Sequence, residues 1–95
     1  MVAMLVRTFV QFAEERVEKL VEEAGNGRWD EVASIAHSIK LSARQLGAEA
    51  LGDTCAETEG AGRAGDVPRT SAGVEAVRRE FAAARAWMDA LTGPA

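Results

Sequence analysis

The thirteen residues Ala36-His37-Ser38-Ile39-Lys40-Leu41-Ser42-Ala43-Arg44-Gln45-Leu46-Gly47-Ala48 hold the only histidine of a 95-residue chain. At about 100° of rotation per residue in a helix, Val32, Ile35, Ala36, Ile39, Ala43, Leu46 and Ala50 fall on one stripe. That is the face a helical bundle would bury. His37 lies off the stripe, with Ala33, Lys40, Leu41 and Arg44 as its neighbours three, four and seven positions away, which share a helix face. The periodicity therefore argues against a core histidine and turns the ring toward water. An idle surface histidine is the bland reading that composition alone leaves standing.

Working outward, Leu5, Phe9, Phe12, Ala13, Val17, Leu20, Val21 and Ala24 recur at helical spacing, opposite Glu14, Glu15, Glu18, Lys19, Glu22 and Glu23. This predicts a first amphipathic helix from Met4 or Leu5 to about Ala24, whose glutamates form a solvated face. Gly25-Asn26-Gly27 ends it with residues that tolerate left-handed backbone angles. The second helix is expected from about Arg28 to Leu46, with Gly47 interrupting or bending the pattern. A weaker third follows from about Ala48 to Arg63, with Leu51, Cys55 and Thr58 inward. Ala64-Gly65-Asp66-Val67-Pro68 reads as the last loop, because proline is excluded from a helix interior. Val74, Val77, Phe81, Ala84, Met88 and Leu91 then mark a fourth helix from about Thr70 to Leu91. Trp29 and Trp87 read as core or rim residues. Strand signals are nearly absent, so the expected fold is all-α, an antiparallel up-down-up-down four-helix bundle filling residues 1–95 as one domain.

The formal net charge of −4 would repel a nucleic-acid backbone or an anionic membrane surface, so neither is expected as a partner. Cys55 is the single cysteine and has no disulfide partner within the chain, which fits a reducing compartment. It reads as a small packed apolar residue. No apolar run approaches the roughly 18 residues of a membrane span, and Met1 to Val6 lacks the basic flank and cleavage site of a leader. The expected location is the cytoplasm. The position three before His37 is Ser34 and not glutamate, so the paired Glu-x-x-His ligands of di-iron bundles are missing, and no Cys/His spacing suggests zinc. No bound metal or cofactor is expected.

The stretch from His37 to Ala48 resembles the histidine phosphotransfer (Hpt) family of two-component phosphorelays, whose usual pattern is His-x-x-Lys-Gly-Ser-(Ala/Ser)-x-x-Leu-Gly-Ala. The similarity extends to Gly27-Arg28-Trp29, to Leu51, Cys55 and Glu59, and to Arg63-Ala64-Gly65-Asp66. The resemblance implies a four-helix bundle whose exposed histidine takes a phosphoryl group from a receiver-domain aspartyl phosphate and passes it to another receiver aspartate. Carried over, His37 would be the phosphoacceptor and Lys40 the cation that supports the phosphate. The chain would be a carrier and not an enzyme, with the receiver supplying its aspartate and Mg²⁺. Its partners would be receiver domains of response regulators and hybrid histidine kinases, and a monomer is expected. Chemistry agrees, since neutral imidazole is a competent nucleophile and phosphoryl transfer needs positioned cations.

One position departs from the pattern: Leu41 stands where the family usually has glycine. An exposed leucine one turn from the histidine crowds a visitor or gives it an apolar contact, and the reading taken is that it tunes partner choice. Ala33, Ser34, Leu41 and Arg44 form the expected docking face. Glu59 is placed to meet Lys40 across helices. The rival readings are a degenerate module that docks on a receiver or kinase without accepting phosphate, which Leu41 keeps alive, and an unrelated bundle with a coincidental histidine.

Overall fold

A computed structural model describes residues 2–92, which form four helices: α1 (Val2–Gly25), α2 (Trp29–Gln45), α3 (Glu49–Arg63) and α4 (Val67–Thr92). No strand occurs among the described residues. Each connection is three residues long, and all three are built alike. The amides of Arg28, Ala48 and Asp66 reach back five residues to the carbonyls of Glu23, Ala43 and Ala61, at 3.0, 2.8 and 3.0 Å. The residue before each is a glycine at positive φ, namely Gly27 (70°), Gly47 (79°) and Gly65 (72°). This is the glycine-terminated helix end in which left-handed backbone lets orphan carbonyls find donors. Arg28, Ala48 and Asp66 also accept the first amide bond of the following helix, from Val32, Gly52 and Thr70. One helix therefore stops and the next starts within a single turn.

The last of these junctions corrects an expectation. Val67 and Pro68 belong to the first turn of α4 and not to a loop. Proline is tolerated there because first-turn amides have no intrahelical partner to lose. Asp66 completes the start, its side chain accepting the Arg69 amide at 3.1 Å.

Around the ring, α1 packs on α2 and α4, and α3 packs on the same two. The core is drawn from all four helices, with Val6, Phe9, Ala13, Val17 and Leu20 meeting Val32, Ile35, Ala36, Ile39 and Ala43, then Leu51 and Cys55, then Val74, Val77, Phe81 and Met88. Helix α3 contributes few large side chains and instead lets its neighbours come close. A Cβ placed on Gly62 would lie 3.2 Å from the Ala33 Cβ and 3.1 Å from the Trp29 carbonyl. A Cβ on Gly73 of α4 would collide with the Thr58 hydroxyl of α3. Thr58 is buried as expected, its hydroxyl donating to the Thr54 carbonyl at 2.8 Å.

Three positions assigned inward by periodicity are not. Leu91 is exposed because α4 runs past the start of α3, whereas Leu5 lies off the buried line of α1, at the rim of a groove shared with the end of α2. Val6, and not Leu5, continues the α1 stripe. Ala50 lies on α3 and is exposed, while Ala84 is half-buried against the core as expected. Of the tryptophans, Trp29 packs against the core and Trp87 is exposed beside the α3 start. Glu23, read as part of a solvated face, is buried against the α1–α2 turn with Arg28 at 3.5 Å.

Because nothing surrounds the Cβ site of Gly47, its substitution isolates backbone strain. Gly47→Ala is expected to cost about 1–2 kcal/mol of unfolding free energy in urea with an unchanged m-value.

Candidate functional site

His37 sits mid-way along α2, just off the buried line of Ala36 and Ile39, and its side chain is 45% exposed. Its inner nitrogen is engaged. Nδ1 lies 3.1 Å from Glu59 Oε2 and 3.2 Å from Glu59 Oε1 on α3. Lys40, one turn along α2, donates from Nζ to Glu59 Oε1 at 2.8 Å, and Arg63, one turn along α3, donates from Nε to Glu59 Oε2 at 3.3 Å. One carboxylate thus gathers three donors from two helices. The side chains of Glu59 and Lys40 are 15% and 17% exposed, so the pair lies partly below the surface while the ring faces out.

The Lys40 hydrogen bond is the main reason the Glu59 carboxyl is held down at about 2, against partial burial, which works the other way; His37 and Arg63 add to the lowering. Glu59 is therefore an anion at neutral pH and can only accept. It follows that the neutral His37 ring carries its proton on Nδ1 and its lone pair on Nε2. Beneath this cluster the Cys55 thiol is buried, and desolvation pushes it up to about 12, so it stays protonated.

The docking face expected from sequence is only partly present. Ala33 is fully buried, which corrects its assignment as a docking residue: the missing side chain of Gly62 allows α3 to close over it. Ser34 is exposed, and its carbonyl accepts the Ser38 hydroxyl at 3.4 Å. Leu41 is 52% exposed. Arg44 is exposed but tethered, with its stem over Gly52 and its guanidinium 3.4 Å from Asp53. Lys40 meets Glu59 as anticipated. What sequence reasoning missed is that His37 and Arg63 share the same carboxylate. The i,i+4 spacing of Glu59 and Arg63 was a usable signal. An apolar groove lined by Leu5, Phe9, Phe12 and Leu46 runs between α1 and α2. Among the described residues, no three His, Cys, Asp or Glu side chains are grouped to hold a metal ion, and no helix is long and apolar enough to cross a membrane.

The described residues thus form a helical fold that presents a half-exposed histidine backed by an anionic carboxylate. Residues 4–87 match the model of the Hpt domain, and the chain belongs to that family. Hpt domains serve histidine phosphotransfer in two-component signalling as phosphocarrier modules that interact with receiver domains. Comparisons with curated proteins and with solved structures give no match.

The low position of Glu59 sets a sign for acid stability. A carboxyl depressed in the folded state stabilises the fold above its unfolded value near 4.5, and that contribution is lost as pH falls from there toward 2. Glu59→Gln is expected to cost about 1–3 kcal/mol at pH 7 by leaving Lys40 without its ionic partner. Its stability should also fall less than that of the wild type between pH 6 and 3 in urea titrations.

Proposed function

We propose that this chain is a cytoplasmic phosphocarrier in which Nε2 of His37 takes a phosphoryl group from a receiver aspartyl phosphate and delivers it to the aspartate of another receiver. The observation that carries this reading is the hydrogen bond from Nδ1 to Glu59, which leaves Nε2 as the free nitrogen of a half-exposed ring. In the forward step the Nε2 lone pair forms the N–P bond, the acyl O–P bond breaks, and the aspartate leaves as its carboxylate. No proton has to move. The product ring bears a proton on Nδ1 and phosphorus on Nε2 and is cationic, with the Glu59 anion already beside it to balance the charge.

Lys40 is the phosphate-supporting cation in this reading. It lies one turn from His37 and would turn from Glu59 toward the phosphoryl oxygens, where opposite charge favours it. Arg63 supports the same carboxylate from α3. The receiver brings the second aspartate and Mg²⁺, in keeping with a transition state whose charge is neutralised by metal and cations together. The chain works as one four-helix domain in up-down-up-down order. Three-residue connections, and cross-helix pairs in which position rises on one helix as it falls on the next (His37 with Glu59, Arg44 with Asp53), support antiparallel neighbours.

Docking is assigned to Ser34, Leu41 and Arg44 on the rim of His37. The exposed Leu41 also favours a second reading, a module that docks without accepting phosphate. Incubation with a phosphorylated receiver separates the two. Acid-labile label should appear on the wild type and be absent from His37→Gln, whereas label absent from both would leave the docking module. Leu41→Gly should change transfer rates by about tenfold or more between receivers, as loss of one buried apolar contact would. Equal rates with every receiver would remove Leu41 from partner choice.

A further inference from the structure

We infer that Glu59 makes the phosphorylated state of His37 short-lived, by keeping the proton on Nδ1 of the phosphorylated ring so that the ring departs as neutral imidazole. The inference rests on His37 being the phosphoacceptor, and it concerns what happens after the group has arrived. An N–P bond breaks more readily when the departing nitrogen base leaves neutral than when it leaves as an anion. In free phosphohistidine that advantage disappears once the ring nitrogen not bonded to phosphorus loses its proton. Here the proton lies between Nδ1 and a carboxylate with both oxygens within 3.2 Å.

The surroundings strengthen the hold. In the resting site Lys40 holds Glu59 Oε1 from α2 and Arg63 holds Oε2 from α3, and the Arg63 contact does not depend on Lys40. These three are the charged groups that converge on the ring, since Arg44 is turned to Asp53 and the inward side of α1, the other helix packed on α2, is apolar at Phe9, Ala13, Val17 and Leu20. Two cations so close would by themselves oppose a proton on the ring. Both are paired with Glu59, however, and it is the carboxylate that makes the direct contact. A phosphoryl group then competes with Glu59 for Lys40. As the ammonium turns to the new anion, Oε1 loses its shortest donor and is left to the ring proton. Arrival of the phosphoryl group therefore tightens the grip that speeds its departure.

The bond changes balance without a further reagent. The Nε2–P bond breaks, Nδ1 keeps its proton, and the phosphoryl group passes to an aspartate carboxylate or to water. Glu59 touches neither phosphorus nor the acceptor and acts as a positioning residue. The cluster suits a carrier that hands its load on, in contrast to one that stores it.

Phosphoramidate, which phosphorylates imidazole without a protein donor, gives the test. Decay of the phosphohistidine ³¹P signal would be followed against pH for the folded wild type, the wild type in urea, and Glu59→Gln. In the folded wild type the alkaline fall in decay rate should lie about one pH unit above that of the unfolded chain, making decay about tenfold faster on that limb. Glu59→Gln, which keeps an acceptor oxygen but not the charge, should return toward the unfolded profile. Coincident profiles for folded and unfolded wild type would overturn the inference even if the variant fails to fold. So would modification on Nδ1, or none on the folded chain. No receiver takes part, so a chain that fails to accept phosphate from a receiver loses the proposed function while this profile still reads the role of Glu59.

Discussion

A single carboxylate ties the two halves of the site together. Glu59 on α3 accepts from His37 and Lys40 on α2 and from Arg63 on its own helix, and these bonds give the outward ring a defined inner edge. Without that anion the ring could present either nitrogen to a visitor, and the lysine would be a mobile surface charge. With it, the ring and the lysine that the proposed transfer would use are set in place before any partner arrives. Such preorganisation lowers the reorganisation required during a transfer step.

The scaffold has to bring α2 and α3 close enough for that contact, and the sequence does so with small residues and not with large ones. Gly62 lets α3 settle on Ala33 and the Trp29 carbonyl, one turn from Glu59 along α3 and from His37 along α2. On the far side Gly73 lets α4 close on Thr58, the residue next to Glu59. A helix with few bulky side chains is thus held between two neighbours at short range. Its register is further set by the glycine turns at Gly47 and Gly65, which limit how far either end can slide. A thin seam in the apolar pattern of α3 is therefore a condition of the site and not a weakness in it.

Much of this could be read in the chain. The apolar stripes gave four helices with ends within about three residues of those observed, and the same stripes put His37 outside the core. Misreadings arose where a residue's surroundings come from another helix. Ala33 looked exposed on an isolated α2, and only the glycine opposite it on α3 buries it. Leu91 follows the helical period, yet the period cannot tell that α3 is too short to cover it, and Leu5 fits a line through Phe9 and Phe12 while the core takes Val6. Pro68 suggested a loop because first-turn tolerance depends on where the cap lies, and Asp66 supplies it. The pairing of Glu59 with Lys40 was foreseeable, but the sharing of that carboxylate by the ring depends on interhelical register, which no local pattern encodes.

The contact with Glu59 requires the resting, neutral ring of His37 to be protonated on Nδ1 and bare on Nε2. Nitrogen-15 NMR of the histidine-labelled protein at pH 8 reads this directly, because protonated and unprotonated ring nitrogens resonate far apart and only one histidine is present. A protonated Nδ1 and an unprotonated Nε2 are expected. A proton resident on Nε2 would contradict this, since the nitrogen facing the visitor would then have no lone pair to offer.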